Sequence, residues 1–386
     1  MIYLDNNATT QLAPEVLETM LPYLDAAYGN PSSAHGAGRE ARRAVESARA
    51  SVAGLLGARS SEIVFTSGGT ESDNWAVRSA LAAAPGKKHV ITTRVEHEAV
   101  RKLCERLERE GVEVSWLDVD HSGALDLEQL REFVREDTAV VSVMLANNET
   151  GILFPINEIS EIVKQRSAAL FHVDGVNAAG KIPVDLTKGI VDLFSISAHK
   201  FHGPKGIGAL YIRDGVEIPS LSIGGGQESG RRAGTEAVHQ IVGMGAAAEL
   251  VRDLSGMGRI RAMRDELERT ILRNIPSAGL NGTADADGRL PNTSNISFEN
   301  LNGEAIMARL DAAGICASTG SACNAADHVP SQVLAAMDVP YSKAMGSIRF
   351  SLGRSNTEDE VATVANEIGT IIEDLKQIAP SGSVHN

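Results

Sequence analysis

The sequence predicts an α/β fold: a large unit with a mostly parallel sheet flanked by helices, and a smaller α+β unit. Three observations predict it. Short apolar segments alternate with helix-periodic ones through most of the chain. The strand candidates "AVVSVML", "ALFHVD", "LFSIS" and "GIGALYI" fall within this alternation, which implies a largely parallel sheet covered on both faces. After about residue 258 the texture changes to charged helices and scattered strands. This divides the chain into residues 13–258, and residues 1–12 with 259–386.

The elements follow in order. "EIVFTSGGTESDNWAVRSALAAA" reads as a strand ending near Phe65, a glycine turn, and a helix from about Glu71. "HVITTRVEHEAVRKLCERLEREG" repeats the pattern, with Val100, Leu103, Cys104 and Leu107 on one helical face. Beyond residue 258 come the charged helix "RIRAMRDELERTILRNI", the segment "NTSNISF", a helix around "EAIMARLDAAG", the strands "ICAS" and "SIRFSL", and a helix from about Thr357. "APSGSVHN" reads as a disordered tail.

The composition narrows the function. The 386 residues are 43% hydrophobic and carry a formal net charge of −14, which argues against nucleic acid as a primary ligand. No apolar run suits a signal peptide or a bilayer span. The three cysteines, Cys104, Cys316 and Cys323, form no disulfide framework, so a cytoplasmic location is expected.

The chemistry concentrates in a few segments. "SISAHKFHGPKGIG" delivers Ser197, His199 and Lys200 to the end of a strand-like run. Lys200 there reads either as a surface charge or as a Schiff-base lysine activated by desolvation. Asp174 ends "ALFHVD", where a lone buried carboxylate needs a partner, such as the protonated ring nitrogen of pyridoxal phosphate; a turn cap is the alternative. In "FTSGGTES", Gly69 and Thr70 open a helix whose N-terminal N–H groups suit a phosphate, although an ordinary turn fits equally. His97 begins a helix in "VEHEAV", as a solvated first-turn residue or as an imidazole stacked on a ring.

Cys323 lies in "ASTGSACNAADHVPS", among small polar residues with no periodicity to bury it, as an accessible nucleophilic thiol would. Cys104, on an apolar helical face, and Cys316, inside a strand, read as core thiols. His328 near Cys323 raises a metal pair, but further ligands at metal spacing are missing. Arg349 interrupts "SIRFSL", where Ile348, Phe350 and Leu352 share one face and Arg349 and Ser351 the other. It is equally a clamp for an amino-acid carboxylate and the partner of a structural acid.

Taken together, "YLDNNATT", "FTSGGTESDN", "VEHEAV", "ANNETG", "HVDGVN", "SAHKFHGPKGIG", "GRRAGTE", "STGSAC" and "SIRFSLGR" resemble, in order and end to end, the cysteine desulfurases of the NifS/IscS type. These belong to the class V aminotransferase branch of the fold-type I pyridoxal-phosphate enzymes. The resemblance implies that Lys200 carries the cofactor, Asp174 binds its ring nitrogen and His97 stacks on the ring. Asn148 lies near the ring oxygen or substrate. Gly69, Thr70, Ser197, Ala198 and His199 belong to the phosphate end, and Thr235 reaches the phosphate site of a neighbouring subunit in a homodimer. Arg349 binds the carboxylate of L-cysteine. Cys323 takes the sulfur as a persulfide, releasing L-alanine, and passes it to an acceptor such as an iron–sulfur scaffold. No metal is expected beyond a transient iron–sulfur contact at Cys323.

Three positions depart from the family. Asn177 stands where Gln usually bonds the ring oxygen, Ala198 replaces a Gly, and the tail lacks an aromatic scaffold-docking extension. Two rival readings remain: a same-fold aminotransferase or β-lyase, which has no need of Cys323, and a sulfur-carrier or regulatory protein without the chemistry.

Overall fold

A computed structural model describes residues 1–319 and 329–378. After a two-residue strand, β1 (Ile2–Tyr3), the chain builds a seven-stranded sheet. Its strands are β2 (Ile63–Thr66), β3 (His89–Thr93), β4 (Glu113–Leu117), β5 (Thr138–Met144), β6 (Leu170–Asp174), β7 (Leu193–Ser197) and β8 (Gly208–Ile212). The order across the sheet is β2-β8-β7-β6-β5-β3-β4. Strand β8 pairs antiparallel with both neighbours, and the other pairings are parallel.

The apolar runs serve both faces of this sheet. Successive side chains alternate, so Val90 and Val140 enter one cluster with Val100, Leu103, Cys104 and Leu107, while Ile91, Val141 and Val143 enter the main core opposite. The helical face read from "VRKLCERL" is thus the face that meets the sheet, in the helix Glu98–Arg109. Each large aliphatic chain buried this way stabilises the fold by roughly 1.5–3 kcal/mol. Strand β4 escaped the sequence reading for a physical reason: it is the sheet edge and mostly half-buried, so it lacks an apolar run.

A second core lies beyond residue 258. Strands β9 (Ala278–Leu280), β10 (Thr293–Phe298) and β12 (Ser347–Ser351) form an antiparallel sheet in the order β12-β10-β9. The short β11 (Ile315–Cys316) pairs with β1. Ile348, Phe350 and Leu352 pack with Leu267 and Ile271 of the helix Met257–Asn274, and with Val364 and Ile368 of the helix Glu358–Ile378. Cys316 is half-buried rather than a core thiol, because its two-residue strand is paired only by β1. Val333, Leu334, Met337 and Ala344 join the main core instead, bringing this late segment back onto the large sheet.

Chain direction sets the site. Strands β2, β3, β5, β6 and β7 run the same way, so the segments after their C-terminal ends gather along one edge of the sheet, where open α/β folds bind ligands. A bridge between Asp5 and Ser351 draws the N-terminal segment over that edge from the second core. Among the described residues, no helix is long and apolar enough to cross a membrane.

Candidate active site

Strand β6 ends in Asp174 and its neighbour β7 in Ser197, with Asp174 opposite Ser195 in the ladder. A helical turn after β7 carries His199 and Lys200 over the strand ends. Strand β2 runs through Gly68 into the helix Gly69–Ala83, and β3 leads to His97 at the start of the next helix. These segments enclose a cavity of about 210 Å³, lined by Lys200, Asp174, His97, Gly69, Thr70 and Ser197, with Asn148, Asn177 and His199 completing its wall.

One end of the cavity suits an anion. The first turn of the helix from Gly69 leaves backbone N–H groups without carbonyl partners, and the positive end of its dipole points the same way. Gly69 is required there, since a Cβ would stand 2.6 Å from Cγ2 of Val176. The helix predicted from Glu71 therefore begins two residues earlier, at the glycine that brings its N–H groups to the cavity.

The other end is acidic. Asp174 accepts from the backbone N–H of Val176 at 2.9 Å, and no lysine, arginine or histidine nitrogen lies within ion-pair distance of it among the described residues. Burial raises its pKa, opposed by His97 and Lys200. Behind it sit two further buried acids. Burial and the Asp174 charge push Glu96 up to about 8 and hold Asp73 well above the usual carboxylate range. Of the three, Asp174 is the one whose rise is opposed by His97 and Lys200, whereas the Asp174 charge pushes the other two further up. His172, wedged between Ser142 and Ser195 hydroxyls at 2.8 and 2.9 Å, is kept neutral by burial, with its pKa lowered to about 3.

Lys200 donates to the carbonyls of Asn7 and, at 3.1 Å, Ala8. Burial and the nearby Arg349 lower its pKa to about 8, against the pull of Asp174 and Asp5. His97 is exposed to solvent at the mouth. Its Nδ1 accepts from the backbone N–H of Ala99 at 3.1 Å, and desolvation outweighs Asp174 in lowering its pKa. The arrangement combines a carbonyl-reactive amine, a carboxylate without a cation, an anion cradle and an open imidazole in one cavity.

A class-V aminotransferase family model matches residues 2–364 of the chain. The chain belongs to that family. It is 52% identical over 382 residues to a cysteine desulfurase of Trichormus azollae, covering 98% of this chain and 95% of the relative. Among solved structures, a NifS-like protein matches with TM-score 0.91 and 42% identity, covering 97% of this chain and all of that one. SspA in complex with cysteine matches with TM-score 0.82 and 35% identity, covering 92% and 100%. The fold is accordingly that of the fold-type I pyridoxal-phosphate enzymes, as the sequence led one to expect.

Within the class-V chain, most of the residues singled out from sequence converge. Ala198 does not line the cavity: its side chain lies against Gly203, where an added Cβ would come within 2.7 Å of it. Thr235 is exposed on the loop before the helix Val238–Arg252, away from the cavity wall. Cys323 and His328 lie outside the described residues. Arg349 is buried, with one terminal nitrogen 2.7 Å from Asp5 and the other 3.0 Å from the carbonyl oxygen of Asn148.

Sequence reasoning missed Asn7, which ties the site together. Its amide donates to Thr293 Oγ1 at 2.8 Å and to the carbonyl of Asn148 at 3.1 Å, its own carbonyl accepts from Lys200, and its Oδ1 accepts from Lys181 and Asn292. It also missed Lys181, Asp73 and Glu96. The available signal was the two asparagines in "YLDNNATT"; Asp73 and Glu96 lie among polar and charged neighbours in sequence, where a buried acid does not stand out.

Proposed function

We propose that this protein is a pyridoxal-phosphate-dependent cysteine desulfurase, acting on L-cysteine and forming L-alanine. The observation that carries the reading is the pairing of Lys200 and Asp174 in one cavity: an amine with lowered pKa across from a buried carboxylate that lacks a cation. The cavity fits the cofactor. Lys200 would hold its aldehyde carbon, Asp174 its ring nitrogen, and Gly69, Thr70, Ser197 and His199 its phosphate. The buried amide nitrogen of Asn177, which has no hydrogen-bond partner among the described residues, would face its ring oxygen. When bound, pyridoxal phosphate supplies an electron-withdrawing ring for the carbon that bears the substrate amine.

The chain's own groups supply the rest. A pKa near 8 gives Lys200 a free-amine fraction at neutral pH about 300-fold larger than an ordinary lysine has. Lys200 and His97, both lining the cavity, are the groups suited to move protons near neutral pH. Arg349 has a buried Nε with no hydrogen-bond partner among the described residues, and its guanidinium is the group proposed to bind the substrate carboxylate. Cys323 receives the sulfur: its thiolate attacks the substrate sulfur, the carbon–sulfur bond breaks, and its electrons stay with the carbon skeleton that becomes alanine. The persulfide then passes to an acceptor protein.

The finer picture follows the same reading. The protein works as a homodimer in a reducing cytoplasm, with Thr235 reaching the neighbouring subunit's phosphate site. Residues 13–258 carry the cofactor and residues 1–12 with 259–386 form the second unit, a division supported by the two separate apolar cores.

The test is to supply L-cysteine to the cofactor-loaded protein and measure alanine and protein-bound persulfide. Alanine should form in the wild type and fall at least a hundredfold in Cys323→Ser, with the cofactor absorbance unchanged. Undiminished alanine formation by Cys323→Ser would sink the desulfurase assignment.

A further inference from the structure

Asn177 sits on a turn that folds the chain back on itself after β6. Gly180, at φ +75°, completes the turn, and a Cβ there would meet Val251 Cγ2 at 2.7 Å. The turn brings Lys181 back onto Asn177, with Lys181 Nζ 2.7 Å from Asn177 Oδ1. Both residues are buried. The lysine has no carboxylate partner among the described residues; its other acceptor is Asn7 Oδ1 at 3.1 Å. Asn7 cannot turn its amide round, because its nitrogen is committed to Thr293 and Asn148. Lys181 is therefore held as a donor between two amide oxygens.

The consequence falls on the other end of Asn177. An amide whose oxygen is taken must present its nitrogen opposite, and Nδ2 of Asn177 is buried in the wall of the cavity with no hydrogen-bond partner among the described residues. A buried, unmade donor is unfavourable by roughly 1–3 kcal/mol, so it marks a place for an acceptor.

We propose that Lys181 is a positioning residue for the cofactor site: by occupying Asn177 Oδ1 it fixes the amide so that Nδ2–H donates to the ring oxygen of pyridoxal phosphate. This rests on the cofactor reading above and goes beyond the Asn177 contact by naming what orients it. Asn is one methylene shorter than Gln, and an anchored amide loses less freedom on making the bond than a mobile one. Lys181 itself touches no cofactor atom in this scheme.

The charge on the ring oxygen is greatest after the lysine-linked nitrogen beside it loses its proton. A donor aimed at that oxygen favours the deprotonated form and lowers the pKa read from the cofactor's visible absorbance. Apoprotein reconstituted with pyridoxal phosphate is titrated by absorbance for wild type, Lys181→Met, Asn177→Leu and the double variant, and cofactor dissociation constants are measured by fluorescence. Lys181→Met and Asn177→Leu should each raise the pKa by roughly one unit and weaken cofactor binding about tenfold. In the Asn177→Leu background, Lys181→Met should add nothing further. Lys181→Gln, which keeps an N–H donor, should restore the wild-type titration.

An unchanged pKa in Lys181→Met overturns the role of Lys181 alone. A full additional shift in the double variant also overturns it, because Lys181 would then act through its own field. A wild-type protein that takes up no pyridoxal phosphate overturns the cofactor reading and this one together. Should Lys181→Met not fold, Asn177→Leu and Lys181→Gln still decide: no shift in the first, or a shift in the second equal to that of the first, is the contrary result.

Discussion

Asp5 holds one terminal nitrogen of Arg349 at 2.7 Å, while the carbonyl of Asn148 holds the other at 3.0 Å. The sequence left two roles open for Arg349, substrate clamp or partner of a structural acid, and the geometry supports the second directly. Asp5 and the Asn148 carbonyl fix the guanidinium plane, and Nε is buried with no hydrogen-bond partner among the described residues. The proposed clamp needs the guanidinium held in one orientation. Asp5→Asn keeps the size but weakens the tie, and should raise KM for L-cysteine about tenfold with little change in kcat; Arg349→Lys, which loses the fork, should raise it about a hundredfold. Steady-state alanine formation separates the two constants. An unchanged KM in both variants would remove Arg349 from substrate binding.

Lys200 yields a prediction about pH. Burial and Arg349 lower its pKa to about 8, so the amine needed to capture an aldehyde is mostly present above that pH. The rate at which apoprotein takes up pyridoxal phosphate should rise with pH and level off with a midpoint near 8, rather than near the ordinary lysine value. Arg349→Met removes a lowering influence and should move the midpoint upward. The stability sign is the reverse of a paired lysine: the unfolded chain binds the extra proton, so this group makes the apoprotein more stable as pH rises from about 8 towards 10.5. Stopped-flow absorbance at a series of pH values measures the midpoint.

The sheet was legible because burial on both faces leaves apolar runs, and the site because its groups sit where those runs end. Lys200, Asp174, His97 and Gly69 could be picked out by type and position, since a charge or glycine at the end of an apolar strand is locally conspicuous. Asn7 and Lys181 could not. Asn7 works through partners 141 and 286 residues away, and Lys181 through an amide whose orientation exists only in three dimensions. Ala198 is a different case: its place in a motif suggested a cofactor contact, and its methyl group packs on Gly203 rather than lining the cavity. Edge strand β4 was overlooked because, half-buried, it alternates apolar and polar residues over a short span instead of forming an apolar run.

The buried acids behind Asp174 make the apoprotein's stability depend on pH in a definite direction. Glu96 titrates near 8 in the folded chain and near its ordinary value when unfolded. The folded state therefore keeps a proton that the unfolded chain gives up, and stability falls as pH rises from about 4.5 to 8. Oε1 of Glu96 accepts from Thr93 Oγ1 and the Met144 N–H, whereas Oε2 has no partner among the described residues. Glu96→Gln preserves the first pair of bonds and removes the titration. It should match wild type near pH 5 and exceed it at pH 8 by a few kcal/mol, on the order of 3. Urea unfolding of both apoproteins at the two pH values measures this, and parallel curves would refute it.

Gly69 and Val176 test the anion cradle. A Cβ on residue 69 would stand 2.6 Å from Val176 Cγ2 and 3.7 Å from Ser197 Cβ, so Gly69→Ala must push either the helix start or the β6 turn away. Overpacking of this kind is unfavourable by roughly 1–3 kcal/mol, and here it also draws the N–H groups of the first turn back from the phosphate. Gly69→Ala should lower the unfolding midpoint of the apoprotein and weaken pyridoxal phosphate about a hundredfold, while weakening pyridoxal, which lacks the phosphate, far less. Val176→Ala removes the colliding methyl, so the double variant should regain most of the stability and phosphate affinity lost by Gly69→Ala. If the double variant recovers stability but not phosphate affinity, the glycine serves the anion directly through its backbone; if it recovers neither, the collision with Val176 is not what makes Gly69 necessary.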